Sequence, residues 1–445
     1  MDEEKALETL RQALALSKAD QTEAVLEETT RALTRFAENT IHQNIEQHDH
    51  TLTVRTVLGK RIGVAQTNRM EKDSLKRAVE QASAIAKESP EDQEFMNLAR
   101  PVGPEPKPLQ GYVERTAKFS ADDRAKVVGL AVKEAEASAF TAFGAFDQFT
   151  TLLAVANSLG VNRSFRDTSA SFSLTISADD TTSGWGQVVG RNAGMLDGEA
   201  CARRAAEKTR MSRDKVELPE GLYTVILEEG ALGHLLLLLG FLGFGAKTLL
   251  SGRSFMVGKL GQKIAGENVT LVDDAYHPLQ IGRPFDYEGV PKQRVVLIEK
   301  GIARGVVYDS YYAYKTKVSS TGHALQPGNT FGPYPKNLVM MPGDKTREEI
   351  IASTERGILI THFWYVNYLD PMKTEVTGTT RDGTFLIEKG KVTKAVRDLR
   401  IQQSILEMLN HVEMVGRDLV LYQQYGSYLL VPLVKIGDFK LTKRD

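Results

Sequence analysis

Leu227-Glu228-Glu229-Gly230-Ala231-Leu232-Gly233-His234 runs directly into five leucines at 235–239. The apolar stretch as a whole covers 231–246, broken by His234, Gly240, Gly243 and Gly245. It falls short of the roughly 20 residues that a membrane span needs, so it predicts a buried helix in a folded core. Residues 223–227 are strand-like and lead into it.

Beyond this helix the chain reads mostly as strand and turn. At 296–302 and 385–392 a β-branched run meets Lys300-Gly301 and Lys389-Gly390, where glycine can supply the positive φ of a tight hairpin turn. Helices predicted at about 346–357 and 402–411 interrupt the sheet. Upstream, the charged run 212–217 followed by Pro219-Glu220-Gly221 places a boundary, giving an N-terminal unit over 1–215 and a C-terminal, β-rich unit over 216–445.

The N-terminal unit opens with a helix at 3–18, with Leu7, Leu10 and Leu14 at helical spacing. Strands follow over 24–66, turning at Gly59-Lys60, and then a helix at 73–87. Pro101, Pro104, Pro106 and Pro108 make 99–110 a stiff connector, because proline supports neither helix interior nor sheet ladder. A helix at 121–138, strands over 139–190 and a helix at 196–211 repeat the earlier order. Phe36-Ala37-Glu38-Asn39, read as opening one set of strands, and Val155-Ala156-Asn157-Ser158, early in the other, suggest an internal duplication. The fold class is α+β with antiparallel sheets.

Composition narrows the function. The 445 residues exceed one ordinary core, and 42% hydrophobic with 25% charged residues is the profile of a soluble globular protein. Lys plus Arg (56) nearly equals Asp plus Glu (57), so no overall field favours nucleic acid or an anionic membrane. Cys201 is the only cysteine, which excludes an internal disulfide and fits a reducing compartment. The start, Met1-Asp2-Glu3-Glu4-Lys5, lacks the pattern of a secretory signal. A cytoplasmic protein is expected.

The leucine helix carries the outline of a metal-dependent hydrolase with most of the chemistry removed. A hydrolytic zinc site needs three protein ligands, an open position for water and a base. In the HExxxH pattern two histidines bind the metal and the intervening glutamate takes the proton. Here those positions read Glu229, Gly230 and His234. Glycine cannot move a proton, and two acids at a helix N-terminus suit its dipole without any metal.

Other candidates are weaker. His48 and His50 would share a face of a strand, but no third ligand is nearby. Asp273, Asp274 and His277, with Pro278 following, read as a polar loop. Segment 252–259 fails as a phosphate loop, since five residues rather than four separate Gly252 from Gly258 and Leu260 replaces the magnesium-binding hydroxyl. Cys201 reads as a structural thiol. Two aromatic groups, Tyr308, Tyr311, Tyr312 and Tyr314, and Phe363, Trp364, Tyr365 and Tyr368, suit either sheet cores or a face for a partner or peptide.

Several segments in order resemble the TldD/PmbA family, also called modulators of DNA gyrase. They are Arg35-Phe36-Ala37-Glu38-Asn39-Thr40-Ile41-His42-Gln43, Phe285-Asp286-Tyr287-Glu288-Gly289-Val290, Ile298-Glu299-Lys300-Gly301-Ile302, Ser320-Thr321-Gly322-His323-Ala324 and Val415-Gly416-Arg417-Asp418. In that family a TldD branch carries HExxxH and a later cysteine and binds zinc, and a TldE/PmbA branch lacks them and serves as its partner. This chain departs from the TldD pattern at Glu229 and Gly230, and has Tyr425-Gly426-Ser427 where a Cys-Gly segment is looked for. The resemblance implies a subunit with no catalytic residue, cofactor or metal ligand of its own, paired with a TldD-like zinc protease that cleaves peptides or unfolded segments. It places Ser320, Thr321, Gly322, His323 and His234 near a shared cavity. The residues alone leave two other readings open: a homodimeric peptide-binding or scaffold protein, and a hydrolase in its own right with a metal site at Glu229 and His234.

Overall fold

The computed structural model describes residues 1–101 and 105–443. Pro104 of the expected connector lies outside them; Pro101, Pro106 and Pro108 lie in neither helix nor strand.

The first half runs α1 (Glu3–Ala15), β1 (Gln21–Ala37), β2 (Thr40–Leu58), β3 (Arg61–Thr67) and α2 (Lys72–Glu88). After a single-turn helix, α3 (Glu114–Ala117), the same order returns as α4 (Ala121–Glu136), β4 (Thr141–Asn157), β5 (Asn162–Ser177), β6 (Ser183–Gly190) and α5 (Gly198–Met211). Each set of three strands is an antiparallel meander, and the two join along β1 and β4 into one sheet ordered β3-β2-β1-β4-β5-β6. The suspected duplication therefore has a topological counterpart. Both tetrapeptides close the first strand of their meander, so Phe36-Ala37-Glu38-Asn39 ends β1 instead of opening the set. Glu38 and Asn39, at φ 50 and 60, form the β1–β2 turn.

Alternation decides which face is which. Even-numbered Ala24 and Leu26 pack with Leu10 of α1 and Leu75 of α2, while Phe36 joins Phe146, Phe172 and the alanines of α5. The four long helices thus cover one face of the sheet. Odd-numbered Val25 packs instead with Leu153, Val155 and Phe285, turning the other face toward the second half.

That half begins with β7 (Gly221–Leu227), α6 (Glu229–Gly243), α7 (Ala246–Leu250), β8 (Leu271–Asp273), β9 (Val295–Glu299), β10 (Ile302–Ala303), α8 (Ser310–Thr316) and β11 (Leu338–Met340). It continues with α9 (Arg347–Ala352), β12 (Arg356–Asp370), β13 (Glu375–Glu388), β14 (Lys391–Ala395), β15 (Leu399–Ser404) and α10 (Ile405–Asn410). The last strands are β16 (Val412–Val415), β17 (Val420–Gln424), β18 (Ser427–Val431) and β19 (Val434–Lys443). One sheet is ordered β10-β9-β8-β11-β18-β17. In the other, β12 pairs with both β7 and β13, so β12-β7-β19-β15-β13 closes into a ring.

The leucine helix α6 lies inside this half, with Leu232 and the five leucines at 235–239 all buried. Each such leucine contributes about 1.5–3 kcal/mol by leaving water. No helix among the described residues is long and apolar enough to cross a membrane.

Both Lys-Gly hairpins form as expected, with φ 47 and 78 at Lys300-Gly301 and 49 and 71 at Lys389-Gly390. Two helices predicted in the second half are shorter than expected. The one at 346–357 stops at Ala352, because the β-branched run from Gly357 pairs with β7. In 402–411, the first residues continue β15, and Ser404 then caps α10 by accepting from the Glu407 N–H.

Candidate functional site

The chain enters α6 through Glu228, whose N–H donates to the Ile360 carbonyl at 2.9 Å. Its buried carboxylate sits between Lys208 of α5 at 2.7 Å and Arg347 of α9 at 2.5 Å. Burial alone would raise its pKa; the two cations outweigh it and hold it at about 2. Glu229 is half-buried, and its carboxyl is pushed up by burial and by the neighbouring Glu228 charge. The first acid is thus neutralised by cations that a metal ion would have to displace.

One residue on, Gly230 is pressed against an aromatic wall. A Cβ at this position would stand 2.7 Å from Cζ3 of Trp185 and 3.1 Å from the Thr361 carbonyl oxygen. A turn later, a Cβ at Gly233 would meet Tyr422 Cδ1 at 2.6 Å. Trp185, from β6 of the first half, stacks on His362 with ring centres 4.5 Å apart and planes 6° apart, and Tyr422 meets it edge-on. The two glycines let these rings lie against the helix backbone.

His362 is held by Asp382 (Nδ1 to Oδ2, 2.9 Å), and Ser183 donates to the other oxygen of Asp382 at 2.6 Å. The order is wrong for nucleophilic catalysis, since the hydroxyl bonds the acid and not the histidine. His234 is buried, and its Nδ1 has no hydrogen-bond partner. Burial, with His362 nearby, pushes its pKa down to about 4, so the ring is neutral at pH 7.

These residues do not make a donor set for zinc. Position 230 has neither side chain nor room for one, and among the described residues no group of three or more His, Cys, Asp or Glu is arranged to hold a metal. Tyr425-Gly426 forms the β17–β18 turn at φ 50 and 73, with Tyr425 75% exposed.

A cavity of about 500 Å³ opens beside this wall, lined among others by Gln187, Arg204, Lys208, Glu229, Gly230 and Tyr422. It lies where two sheet edges meet. The Gln187 side chain of β6 donates to the Gln423 carbonyl of β17 at 3.1 Å and accepts from the Gln423 N–H at 3.0 Å.

The Ser-Thr-Gly-His segment lies elsewhere. His323 is buried, with Nε2 2.8 Å from Asp273 and Nδ1 2.9 Å from Thr321. Gly322, at φ 72, passes so close to Pro291 that a Cβ would stand 2.4 Å from its carbonyl oxygen. His323 lines a second cavity and Ser320 a third, whereas Thr321, Gly322 and His234 line none of the three. Within one chain, then, these residues do not converge on His234. Asp273 is in β8 rather than a loop, and its partner is His323 rather than His277.

The remaining candidates are accounted for locally. Burial pushes the Cys201 thiol up to about 11, and it packs under Gly186 of β6. His48 bonds Thr30 across the β1–β2 ladder. Phe363 is core, Tyr368 donates to the Leu238 carbonyl, and Trp364 and Tyr365 are exposed. Trp185, His362, Asp382 and Tyr422 were missed in the sequence, because nothing in their local spacing links them.

Family models match almost the whole chain. The PmbA/TldA metallopeptidase C-terminal domain matches 220–443, domain 1 matches 22–86 and the central domain matches 101–213. The chain is 31% identical over 220 residues to a protein of Haemophilus influenzae named Metalloprotease TldD homolog, a match covering 48% of this chain and only 45% of that one. It is 25% identical over 452 residues to Metalloprotease PmbA of Escherichia coli O157:H7, covering 95% and 94% of the two chains. The crystal structure of TldE from Thermococcus kodakarensis superposes with TM-score 0.89 at 23% identity, over 99% of this chain and 100% of that one, and so shares the fold.

Proposed function

The chain belongs to the PmbA/TldD metallopeptidase family, and from that premise we propose that it is a TldE-like subunit without a metal centre, which pairs with a TldD-like zinc protease. The observation that carries this reading is the indole of Trp185 over Gly230. A proton-transferring side chain at position 230 is not merely missing; its space is filled.

In this role the chain contributes walls and edges instead of chemistry. The zinc, the activated water and the base reside in the partner. The meeting of β6 and β17 supplies strand edges beside the first cavity, where an extended peptide can add by main-chain hydrogen bonds. The exposed Trp364 and Tyr365 suit the buried centre of an interface. A protease enclosed between two chains selects unfolded segments, since folded proteins cannot enter.

The test is co-expression with a family member bearing an intact HExxxH. The expected result is a stable complex of the two chains that cleaves an unfolded peptide. A chain that forms only homodimers and leaves the partner's cleavage unchanged would favour the scaffold reading instead.

A further inference from the structure

The face of the first sheet turned from its helices floors a cavity of about 380 Å³, bounded by the 281–292 and 323–337 segments of the second half. Three cations reach it: Arg283, Lys292 and Lys336. Arg283 is satisfied by Asp167 at 2.7 Å and Glu27 at 3.5 Å. The two lysines are not. Among the described residues neither ammonium has a carboxylate oxygen within 4.0 Å or a hydrogen-bond acceptor, and Lys336 Nζ faces the Tyr287 ring at 5.4 Å from its centre.

The surrounding acids are already committed. Glu27 accepts from Tyr287 and pairs with Arg283. Asp273 bonds His323 through one oxygen and the Asn337 N–H through the other. Asp286 accepts from the N–H groups of Glu288, Val290 and Ala324. Asp273 and Asp286 moderate the charge of Lys292 at longer range, but they offer it no acceptor. Both lysines are half-buried, and an ammonium carries three N–H donors that here are left to water in the cavity rather than met by the protein. Burial, with Arg283 nearby, accordingly lowers the Lys336 pKa to about 8.

We propose that this cavity binds a small molecule through a carboxylate or phosphate group held between Lys292 and Lys336. Such a group supplies several acceptors and a counter-charge together, which a neutral carbonyl does not. Phe149 and Leu153 on the cavity floor leave an apolar surface for the rest of the ligand. The site is independent of the pairing proposed above, because it lies wholly within this chain.

The experiment is calorimetric titration of the full chain with inorganic phosphate and, separately, with succinate, together with thermal unfolding. Saturable binding of at least one probe is expected, and which one binds assigns the group. Lys336→Met should weaken it roughly tenfold or more, while Lys336→Arg should retain most of it. Without probe, Lys336→Met and Lys292→Met should each unfold at or above the wild-type temperature, since each removes an ammonium that has no protein acceptor. The proposal is overturned if neither probe binds saturably, if binding survives both methionine substitutions, or if both lower the unfolding temperature without probe.

Discussion

The Trp185 indole stands where a side chain at position 230 would have to go, 2.7 Å from a Cβ built on Gly230. The two residues come from different halves of the chain, so the contact forms only where one half packs on the other.

This contact predicts a sign reversal. In an open helix Gly→Ala gains about 1 kcal/mol. Gly230→Ala should instead cost about 1–3 kcal/mol through overpacking, and in a Trp185→Ala background that cost should shrink markedly, leaving only the 3.1 Å contact with the Thr361 carbonyl oxygen. Denaturant unfolding of the four chains in this double-mutant cycle measures it. A Gly230→Ala penalty unaltered by Trp185→Ala would show that the indole is not what fills the space.

His234 should leave a mark on acid stability. Its folded pKa is lowered from 6.5 to about 4, so between these values the unfolded chain binds the extra proton. Stability then falls as pH drops through that window, by about 3 kcal/mol across its full width. Urea midpoints from pH 7 to 4 should decline less steeply in His234→Gln. Parallel curves for the two proteins would count against a buried, neutral ring.

Glu228 has the opposite charge logic. Its folded carboxyl is held at about 2 against 4.5, so its contribution is present above 4.5 and is lost as pH falls toward 2. Glu228→Gln should cost about 1–3 kcal/mol at pH 7, and the gap from wild type, followed by urea unfolding, should close in acid.

Two glycines at similar φ make a controlled pair. At Gly252, with φ 71, an added Cβ would have nothing within 4 Å, while at Gly322, with φ 72, it would face the Pro291 carbonyl oxygen at 2.4 Å. Gly252→Ala should therefore cost only left-handed strain, about 1–2 kcal/mol, and Gly322→Ala at least about 2 kcal/mol more. Thermal unfolding of both variants gives the comparison.

Local pattern made much of this legible. Strand-rich regions were read over 24–66 and 139–190, Lys-Gly pairs marked both predicted hairpins, and unbroken leucine marked a buried helix. The absence at position 230 was also plain, but its cause was not. Trp185 and His362 are far apart in sequence yet stack face to face, and Asp273 meets His323 in the same non-local way. Such pairs depend on how the sheets dock, which no periodicity encodes. The helix over-extended to 357 failed for a related reason, because the partner strand β7 that claims Ile358, Leu359 and Ile360 lies over a hundred residues earlier.

The most direct measurement is peptide hydrolysis by the isolated chain, freed of contaminating proteases, with and without a chelator. The predicted result is no chelator-sensitive cleavage by this chain alone, and cleavage once a family member with intact HExxxH is added. Chelator-sensitive hydrolysis by the chain alone would contradict the account.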